Sequence, residues 1–467
     1  MKGPTKTIFL AVFEGVEAKN ILRTPILPTL LADPLVRIIL FTKSEERAAY
    51  YREEFPDRRL RFEVVARPPV TGLDRLFGVL KFTLLRTATT DLKRRMARQE
   101  GGGLFRYAAG MLLNRLLARP FIRRLVRFLD FAIVRDHTYD EYFRRYRPAL
   151  VFLPHLFDEP ETHLLRAAKR FHVPSVGFVN SWDKATSRCI LRLLPDKVVV
   201  FNNIVKRDMI KHNEMKPENI FVGGLPQYDL YLRHKPVKRE EFFSRYGLDP
   251  RKHLVVYAPM GRAFSDADLI VLDILRRLIS GGAIKNAELL VRFQPNDFVD
   301  EVELKKRPGL AFDCPGRRFS AKRGVDWDMD ENDLRHLADT LYHSSLIVSY
   351  ASSICVDALA YDKPCLNINF EPPRPGMMRR SPTNYYQTDH YKNVLETGAV
   401  LLADSEEELV VKANELLSPL ARSAAGLLTA EVEAGRERLK REQWQFLDGR
   451  SGERIGRFLL DEIARRG

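Results

Sequence analysis

The sequence predicts an α/β chain built as two doubly wound, Rossmann-like parallel-sheet units in series. Three observations carry that prediction. Short β-branched and apolar runs of a few residues recur along the chain, each short enough for a strand buried on both faces. Helical stretches separate these runs, and such strand–helix alternation specifies a parallel sheet. The alternation occurs twice, on either side of a basic, proline-containing stretch at 233–239 that suits a linker. The 467 residues suffice for two units of roughly 200 residues each.

In the first unit, residues 8–13 form a strand, Glu14-Gly15 a turn and 18–31 a helix, with Pro25 and Pro28 interrupting or kinking it. Strand 36–41, helix 45–55 and strand 60–65 follow. A helical insertion then runs from 71 to about 146, broken at Gly101-Gly102-Gly103. Strands resume at 150–153, 175–179, 197–201 and 220–222, with helices at 160–171 and 204–212 between them. The 175–179 strand ends in the polar cluster Asn180-Ser181-Trp182-Asp183-Lys184.

The second unit begins near Glu240. Strand 254–258 ends in Pro259-Met260-Gly261-Arg262, and strand 288–293, carrying Arg292, ends in Gln294-Pro295-Asn296. A short strand at 310–312 and a helix at 334–343 lead to strand 346–348. There the small-residue turn Tyr350-Ala351-Ser352-Ser353 opens a helix with Ile354, Ala358 and Leu359 on one face. Ser352 or Ser353 is typed as its N-cap, and a helix start with free N–H groups and hydroxyls is an anion seat; plain capping is the other reading. Strand 365–370 is followed by a proline-rich segment to residue 391, expected to be a loop over the site. Strand 399–402, helix 406–417 and two amphipathic C-terminal helices, 431–441 and 451–465, complete the chain.

The composition, 45% hydrophobic and 29% charged, is that of a folded globular protein. Cys189, Cys314, Cys355 and Cys365 show no C-x-x-C spacing, which fits a reduced compartment without structural zinc. The first apolar run is too short for a signal sequence and is followed by Glu14 and Glu17. No apolar stretch approaches the ~20 residues of a spanning helix. The expectation is a cytoplasmic protein, peripheral on the inner face of the plasma membrane. Net charge is +15, and residues 75–135 carry fourteen Lys/Arg against three Asp/Glu, interleaved with Leu, Phe, Met and Val. Two readings stand for this insertion: a helix pair with solvated arginines, or a surface lying on anionic lipid. Nucleic acid is excluded as a partner, since no binding motif accompanies the charge.

The 339–371 stretch, DTLYHSSLIVSYASSICVDALAYDKPCLNINFE, resembles the donor-binding half of GT-B glycosyltransferases. It is most similar to bacterial surface-carbohydrate (capsule and lipopolysaccharide) transferases. These share a superfamily with UDP-GlcNAc 2-epimerases and CDP-glycerol glycerophosphotransferases. FEGVEAKNILRTPILPTL, VNSWDKATSR, VGGLPQYD, VVYAPMGR and LDGRSGERIGRFLL resemble the group's other segments in the same order. The resemblance implies an acceptor-side domain at 1–235, a nucleotide-donor domain at 240–430 and helices at 431–467 crossing back to the first. It implies Glu14, Asn20, Trp182 and Lys184 on the acceptor side, a nucleotide-sugar donor, a glycan or lipid-linked acceptor and no other cofactor.

Transfer chemistry needs a seat for diphosphate charge, a base for the acceptor hydroxyl and exclusion of water. Ser352 and Ser353, with Arg262 and Arg292 at carboxyl ends of strands, are the candidate diphosphate ligands. Asp357 is placed to orient a ribose. Asp183 is the candidate base, its pKa raised by Trp182; a capping aspartate beside a core tryptophan is the alternative. His390 is a second candidate. Glycerophosphotransferases carry a His-Gly where this chain has Ser181-Trp182-Asp183, and a His-Pro where it has Gln294-Pro295. Both differences argue against polyol-phosphate transfer. The acidic and histidine set of the 2-epimerases is not evident in the sequence. Asp326, Asp328 and Asp330 alternate, which suits an exposed acidic loop better than a metal site. The reaction expected is metal-independent glycosyl transfer, with CDP-polyol phosphotransfer or a non-catalytic membrane-docked scaffold as alternatives.

Overall fold

The computed structural model describes residues 5–66, 70, 72–297, 299, 301–319, 326–373, 380–418 and 427–465. The chain divides into two compact units, Met1–Asp229 with Trp444–Gly467, and Leu230–Gln443. The sequence placed the corresponding boundaries near 235 and 430.

The first unit is a seven-stranded, all-parallel sheet of β1 (Lys6–Ala11), β2 (Val36–Thr42), β3 (Leu60–Val64), β4 (Leu150–Leu153), β5 (Ser175–Phe178), β6 (Lys197–Val200) and β7 (Ile220–Val222). Their spatial order is β3-β2-β1-β4-β5-β6-β7. Strand order therefore reverses between β1 and β4, which opens the crevice where ligands of doubly wound sheets bind. One layer of the core is aromatic: the Phe9 ring meets Phe41 and Phe143 edge-on, each at 5.0 Å between centroids. After β1 the expected helix breaks into Gly15–Glu17, a π-helical turn at Ala18–Leu22, and Ile26–Leu31, which starts after Pro25.

The C-terminal helix Ser451–Ala464 belongs to this unit because Asp229 caps it. The N–H groups of Ser451 and Gly452 donate to the two Asp229 carboxylate oxygens at 3.0 and 2.7 Å. Gly452 and Gly456 let it lie close against the Ile26–Leu31 helix; a Cβ would come within 2.8 Å of Pro25 or 2.7 Å of Thr29.

The insertion is larger than a helix pair. It comprises Gly72–Thr83, Ala88–Gln99, Leu104–Leu117 and Pro120–Ile133, followed by Asp140–Tyr146 leading into β4. The break at Gly101 falls where φ is +105°, a conformation glycine adopts without strain. Several of its charges are not solvated. Arg192, 4% exposed, binds Asp74 at 2.7 Å, Asp130 at 2.8 Å and also Glu159. Arg166 shares Asp130 at 2.6 Å, and Arg123 and Arg127 both reach Glu214. This buried network fastens the insertion to the sheet.

The second unit is a six-stranded parallel sheet of β8 (His253–Ala258), β9 (Ala287–Arg292), β10 (Ala311–Asp313), β13 (Leu346–Ser349), β14 (Cys365–Ile368) and β15 (Val400–Ala403), in the order β10-β9-β8-β13-β14-β15. Its switch point lies between β8 and β13. A two-residue antiparallel ribbon, β11 (Arg317–Arg318) with β12 (Trp327–Asp328), was not foreseen. It absorbs the alternating acids. Asp328 is fully buried in it, and Asp330 caps the Glu331–His343 helix in a reciprocal box with Asp333. These residues are not an exposed loop. The four cysteines are unpaired, and no helix among the described residues is long and apolar enough to cross a membrane.

Candidate functional site

Two groups of side chains stand at the two switch points. In the first unit, the chain leaves β1 through Val12 and Phe13 to Glu14, leaves β4 through Pro154 to His155, and leaves β5 through Asn180 to Ser181. These three exits converge on one polar cluster. Lys43, just beyond β2, donates to Glu14 at 2.9 Å. The Glu14 N–H donates to Glu17 at 2.6 Å, one arm of a capping box. The His155 N–H donates to both carboxylate oxygens of Glu161, each at 2.9 Å. His155 Nδ1 lies 2.9 Å from Asp158, and Lys184 Nζ lies against His155 Nε2. The Nδ1 approach is not aligned as a hydrogen bond, so it is a close polar contact. Lys184 can only donate, which makes Nε2 the acceptor and puts the His155 proton on Nδ1, facing Asp158. A cavity of about 30 Å³ lies among Glu14, Glu17, Lys43, His155, Asp158 and Glu161, room for about one water.

Burial drives the protonation states here. It pushes Glu17 up to about 8, helped by the charges of Asp158 and Glu14. It pushes Glu161 well above the carboxylate range, with Glu17 adding to the effect. Burial and the Lys184 charge lower His155, and burial lowers Lys184. Burial works against ionisation of Asp158 too, yet His155, Lys184 and Arg188 hold it well below the usual range. Near neutral pH the cluster thus sets protonated Glu17 and Glu161 beside an ionised Asp158 and a neutral His155 imidazole. That is the equipment of general acid–base chemistry.

Asp183 sits at the rim of this cluster as the residue before the short Lys184–Ser187 helix. The Ser187 hydroxyl donates to it at 2.6 Å, and Ser181 lies against its other oxygen. The insertion holds the turn from behind: Thr87 donates to the Thr186 carbonyl at 2.7 Å and Lys93 to the Ser187 carbonyl at 2.6 Å. The structure therefore brings Glu14, Asp183 and Lys184 together, with Trp182 half-buried beside them. Asn20 is 1% exposed; its amide nitrogen donates to the Val16 carbonyl within the helical turn, and its Oδ1 has no partner among the described residues. Asn180, from the polar cluster that ends the strand, is 5% exposed with neither amide atom partnered among the described residues. Such a group seeks a ligand or water.

In the second unit, Ser349 donates to the Ala258 carbonyl at 2.7 Å, which joins the ends of β13 and β8. Arg262 is exposed at the end of β8. Its loop is held by Asp268, which accepts from Gly261 N–H at 2.7 Å, and by Asp297, which accepts from Arg262 N–H at 3.0 Å. Burial raises Asp268 to about 6. Arg380 donates to the Arg262 carbonyl at 2.7 Å and adds a second exposed cation. Ser352 and Ser353 lie open on the other side of the switch point, and Asp357 accepts from the Tyr231 hydroxyl at 3.0 Å.

Three placements differ from expectation. The helix after Ser353 is one α-turn, Ile354–Asp357, continued as a 3₁₀ turn, and the Ser353 side chain makes no capping bond. The left-handed Asp362 and then Pro364 stop it early, so the turn offers a few N–H groups rather than a long dipole. Arg292 is buried and paired with Asp313, so its charge is already matched. His390 stands in the first turn of the Asp389–Leu395 helix rather than in a loop, and Pro382–Gln387 is a 3₁₀ helix; residues 374–379 of that segment lie outside the described residues. A cavity of about 820 Å³ among Arg239, His343, Lys363 and Arg436 opens at the amino ends of β13 and β14, the edge opposite these groups. Chemistry in such sheets gathers at the carboxyl edge, so its size does not make it the site.

The two Rossmann-like units, each with polar groups at the carboxyl edge of its switch point, define a GT-B fold. No protein-family model and no curated protein matches the chain. Among solved structures it is similar to the MnaA–UDP structure from S. aureus, at 13% identity and a TM-score of 0.53 over 98% of both chains. It is also similar to a glycosyltransferase from Rickettsia africae, at 12% identity and a TM-score of 0.50 over 99% of this chain and all of that one. The wall teichoic acid polymerase TagF, soaked with CDPG, matches at 13% identity and 0.52 over 99% and 90%. UDP-N-acetylglucosamine 2-epimerases also share the fold, one from Listeria monocytogenes at 12% identity and 0.52 over 97% and 95%.

Proposed function

We propose that this chain is a metal-independent glycosyltransferase that moves a sugar from a nucleotide-activated donor to a hydroxyl of a glycan or lipid-linked acceptor in surface-polysaccharide synthesis. The observation that carries it is the Asp183 turn set against the buried Glu17–His155–Glu161 cluster at the first unit's switch point. Asp183 takes the acceptor hydroxyl proton, and the freed oxygen attacks the anomeric carbon as the bond to the diphosphate breaks. His155 and Lys184 hold the charge of that corner fixed, and Asn180 and Trp182 position the acceptor. The leaving nucleoside diphosphate is neutralised by Arg262 and Arg380 and by the N–H groups and hydroxyls of Ser352 and Ser353. Asp357 orients its ribose, and Arg292 stiffens the end of β9. His390 is kept as a second candidate for proton transfer.

A panel of UDP-, GDP-, CDP- and CMP-linked donors tests this by thermal shift and by mass spectrometry of products. A shift with a nucleotide sugar and transfer to an added acceptor supports the proposal. A shift confined to CDP-polyols favours the phosphotransferase, and no shift with any nucleotide favours a scaffold.

One observation favours a second activity. A largely buried group of acids around a histidine, Glu17, Asp158 and Glu161 around His155, stands at the first unit's switch point, and the fold is also that of 2-epimerases. Inversion at sugar C2 of the donor, without any acceptor, would identify an epimerase.

A further inference from the structure

Fifteen of the twenty-three large apolar residues exposed among the described residues fall between 73 and 133, within the helical insertion. The Pro120–Ile133 helix shows why. It is amphipathic, but turned inside out. Arg123, Arg127 and Asp130 face the protein and are at most 8% exposed, held by Glu214, Arg166 and Arg192. Phe121, Leu125 and Phe128, at i, i+4 and i+7, face outward and are 67, 53 and 67% exposed. The neighbouring Leu104–Leu117 helix continues the surface, with Phe105 87% exposed.

Water does not sustain such a face without a reason, and a patch of this size on a soluble unit marks a docking surface. Charge selects the occupant. From Leu104 to Leu129 there are six arginines and no Asp or Glu. Arg106, Arg115, Arg119 and Arg124 are exposed and make no ion pair among the described residues. A second copy of the chain would set these arginines against themselves in a two-fold interface. An anionic bilayer leaflet meets both demands at once: headgroups pair with the arginines, and the rings enter the acyl boundary without needing a complementary pocket.

A groove of about 660 Å³ borders the same helix. Phe128, Phe131, Leu193 and Leu194 wall it, with Arg124 and Lys169 among its polar residues. The two acids lining it are engaged elsewhere, Glu214 with Arg123 and Arg127 and Asp196 with Ser175. An apolar trough with free cations at its edge fits the acyl stem and phosphate of one lipid.

We infer that the outer face of the Leu104–Leu117 and Pro120–Ile133 helices, with this groove, docks the protein on an anionic phospholipid leaflet. The inference uses no nucleotide and stands or falls apart from glycosyl transfer.

The test is co-sedimentation of the full chain with vesicles of phosphatidylcholine alone or of equal parts phosphatidylcholine and phosphatidylglycerol. Binding is expected only with phosphatidylglycerol, and weaker as salt rises from about 0.1 to about 0.5 M. Two variants that leave the buried ion network intact, F121S/F128S and R115E/R119E, should each cut the bound fraction about tenfold at an unchanged Tm. Failure of the wild type to bind anionic vesicles at low salt overturns the inference, as does unchanged binding by both folded variants. A dimer in light scattering that F121S/F128S dissociates would overturn it too, by making the face an interface between copies.

Discussion

The backbone N–H of His155 donates to both carboxylate oxygens of Glu161, at 2.9 Å each. This bidentate grip fixes the exit of β4 against the Glu159–Arg170 helix and sets the imidazole toward Lys184. Even so, burial keeps the Glu161 proton on. His155 is thus positioned by its own backbone while its ring is held between Lys184 and Asp158.

His155→Gln should keep the fold, because the Glu161 contact is made by the main chain. Turnover should fall by about tenfold or more, because Lys184 loses the imidazole acceptor that fixes it beside Asp183. With its pKa lowered, His155 becomes neutral below its ordinary range. The acidic limb of kcat against pH should therefore flatten in the variant. An unchanged limb would assign that proton to another group.

Asp183→Asn should abolish turnover and leave donor affinity intact, because Asn keeps the shape that Ser181 and Ser187 recognise but cannot accept the acceptor's proton. Isothermal titration with the nucleotide donor, alongside a transfer assay, checks both halves. Surviving turnover would move the base to His155 or His390.

The sequence made the strand exits legible because turn residues end apolar runs. Ser181-Trp182-Asp183 and Tyr350-Ala351-Ser352-Ser353 could be placed at carboxyl ends before any coordinates. What it hid is tertiary. Glu161 stands as an ordinary first-turn acid of a helix, and Glu17 as a capping-box partner; both descriptions are locally true. Their perturbation arises because β1 and β4, some 140 residues apart in sequence, are neighbours in the sheet. The Pro120–Ile133 helix teaches the same lesson. Its period reveals a stripe, but Glu214 on a distant segment decides that the charged stripe faces inward.

Arg262 and Arg292 should separate cleanly. Arg262→Ala removes an exposed cation and should weaken nucleoside diphosphate binding about tenfold with no change in Tm. Arg292→Met leaves the half-buried Asp313 with His336 as its remaining cationic partner among the described residues, and should destabilise the second unit by up to about 3 kcal/mol. Chemical denaturation and nucleotide titration of both variants distinguish the roles; equal losses of affinity at unchanged stability would make Arg292 a direct ligand.

Arg192→Met should be among the most damaging changes outside either site. It takes the shared guanidinium from Asp74 and Asp130, which are 4 and 1% exposed, and leaves His163 and Arg166 beside them. Breaking a buried ion pair from one side costs about 3–5 kcal/mol. Urea midpoints should drop accordingly, and limited proteolysis should cut first within 72–133, the segment the network fastens. A midpoint within error of wild type would show that water replaces the guanidinium.

Glu17 gives stability a pH dependence whose sign can be worked out. Its pKa is raised from 4.5 to about 8, so between those values the folded chain holds a proton the unfolded chain has released. Its stabilising contribution is complete below the unfolded value and disappears as pH climbs through about 8. Glu14, Asp158, Glu161 and Lys184 all face it, and the acids outweigh the lysine in disfavouring its charge. Glu17→Gln mimics the protonated form and keeps a carbonyl oxygen to accept from the Glu14 N–H. Tm should match the wild type near about pH 5 and exceed it near about pH 9, the gap opening between those values. Parallel curves across that range would mean that Glu17 is ionised in the fold and that Lys184 carries a full charge beside it.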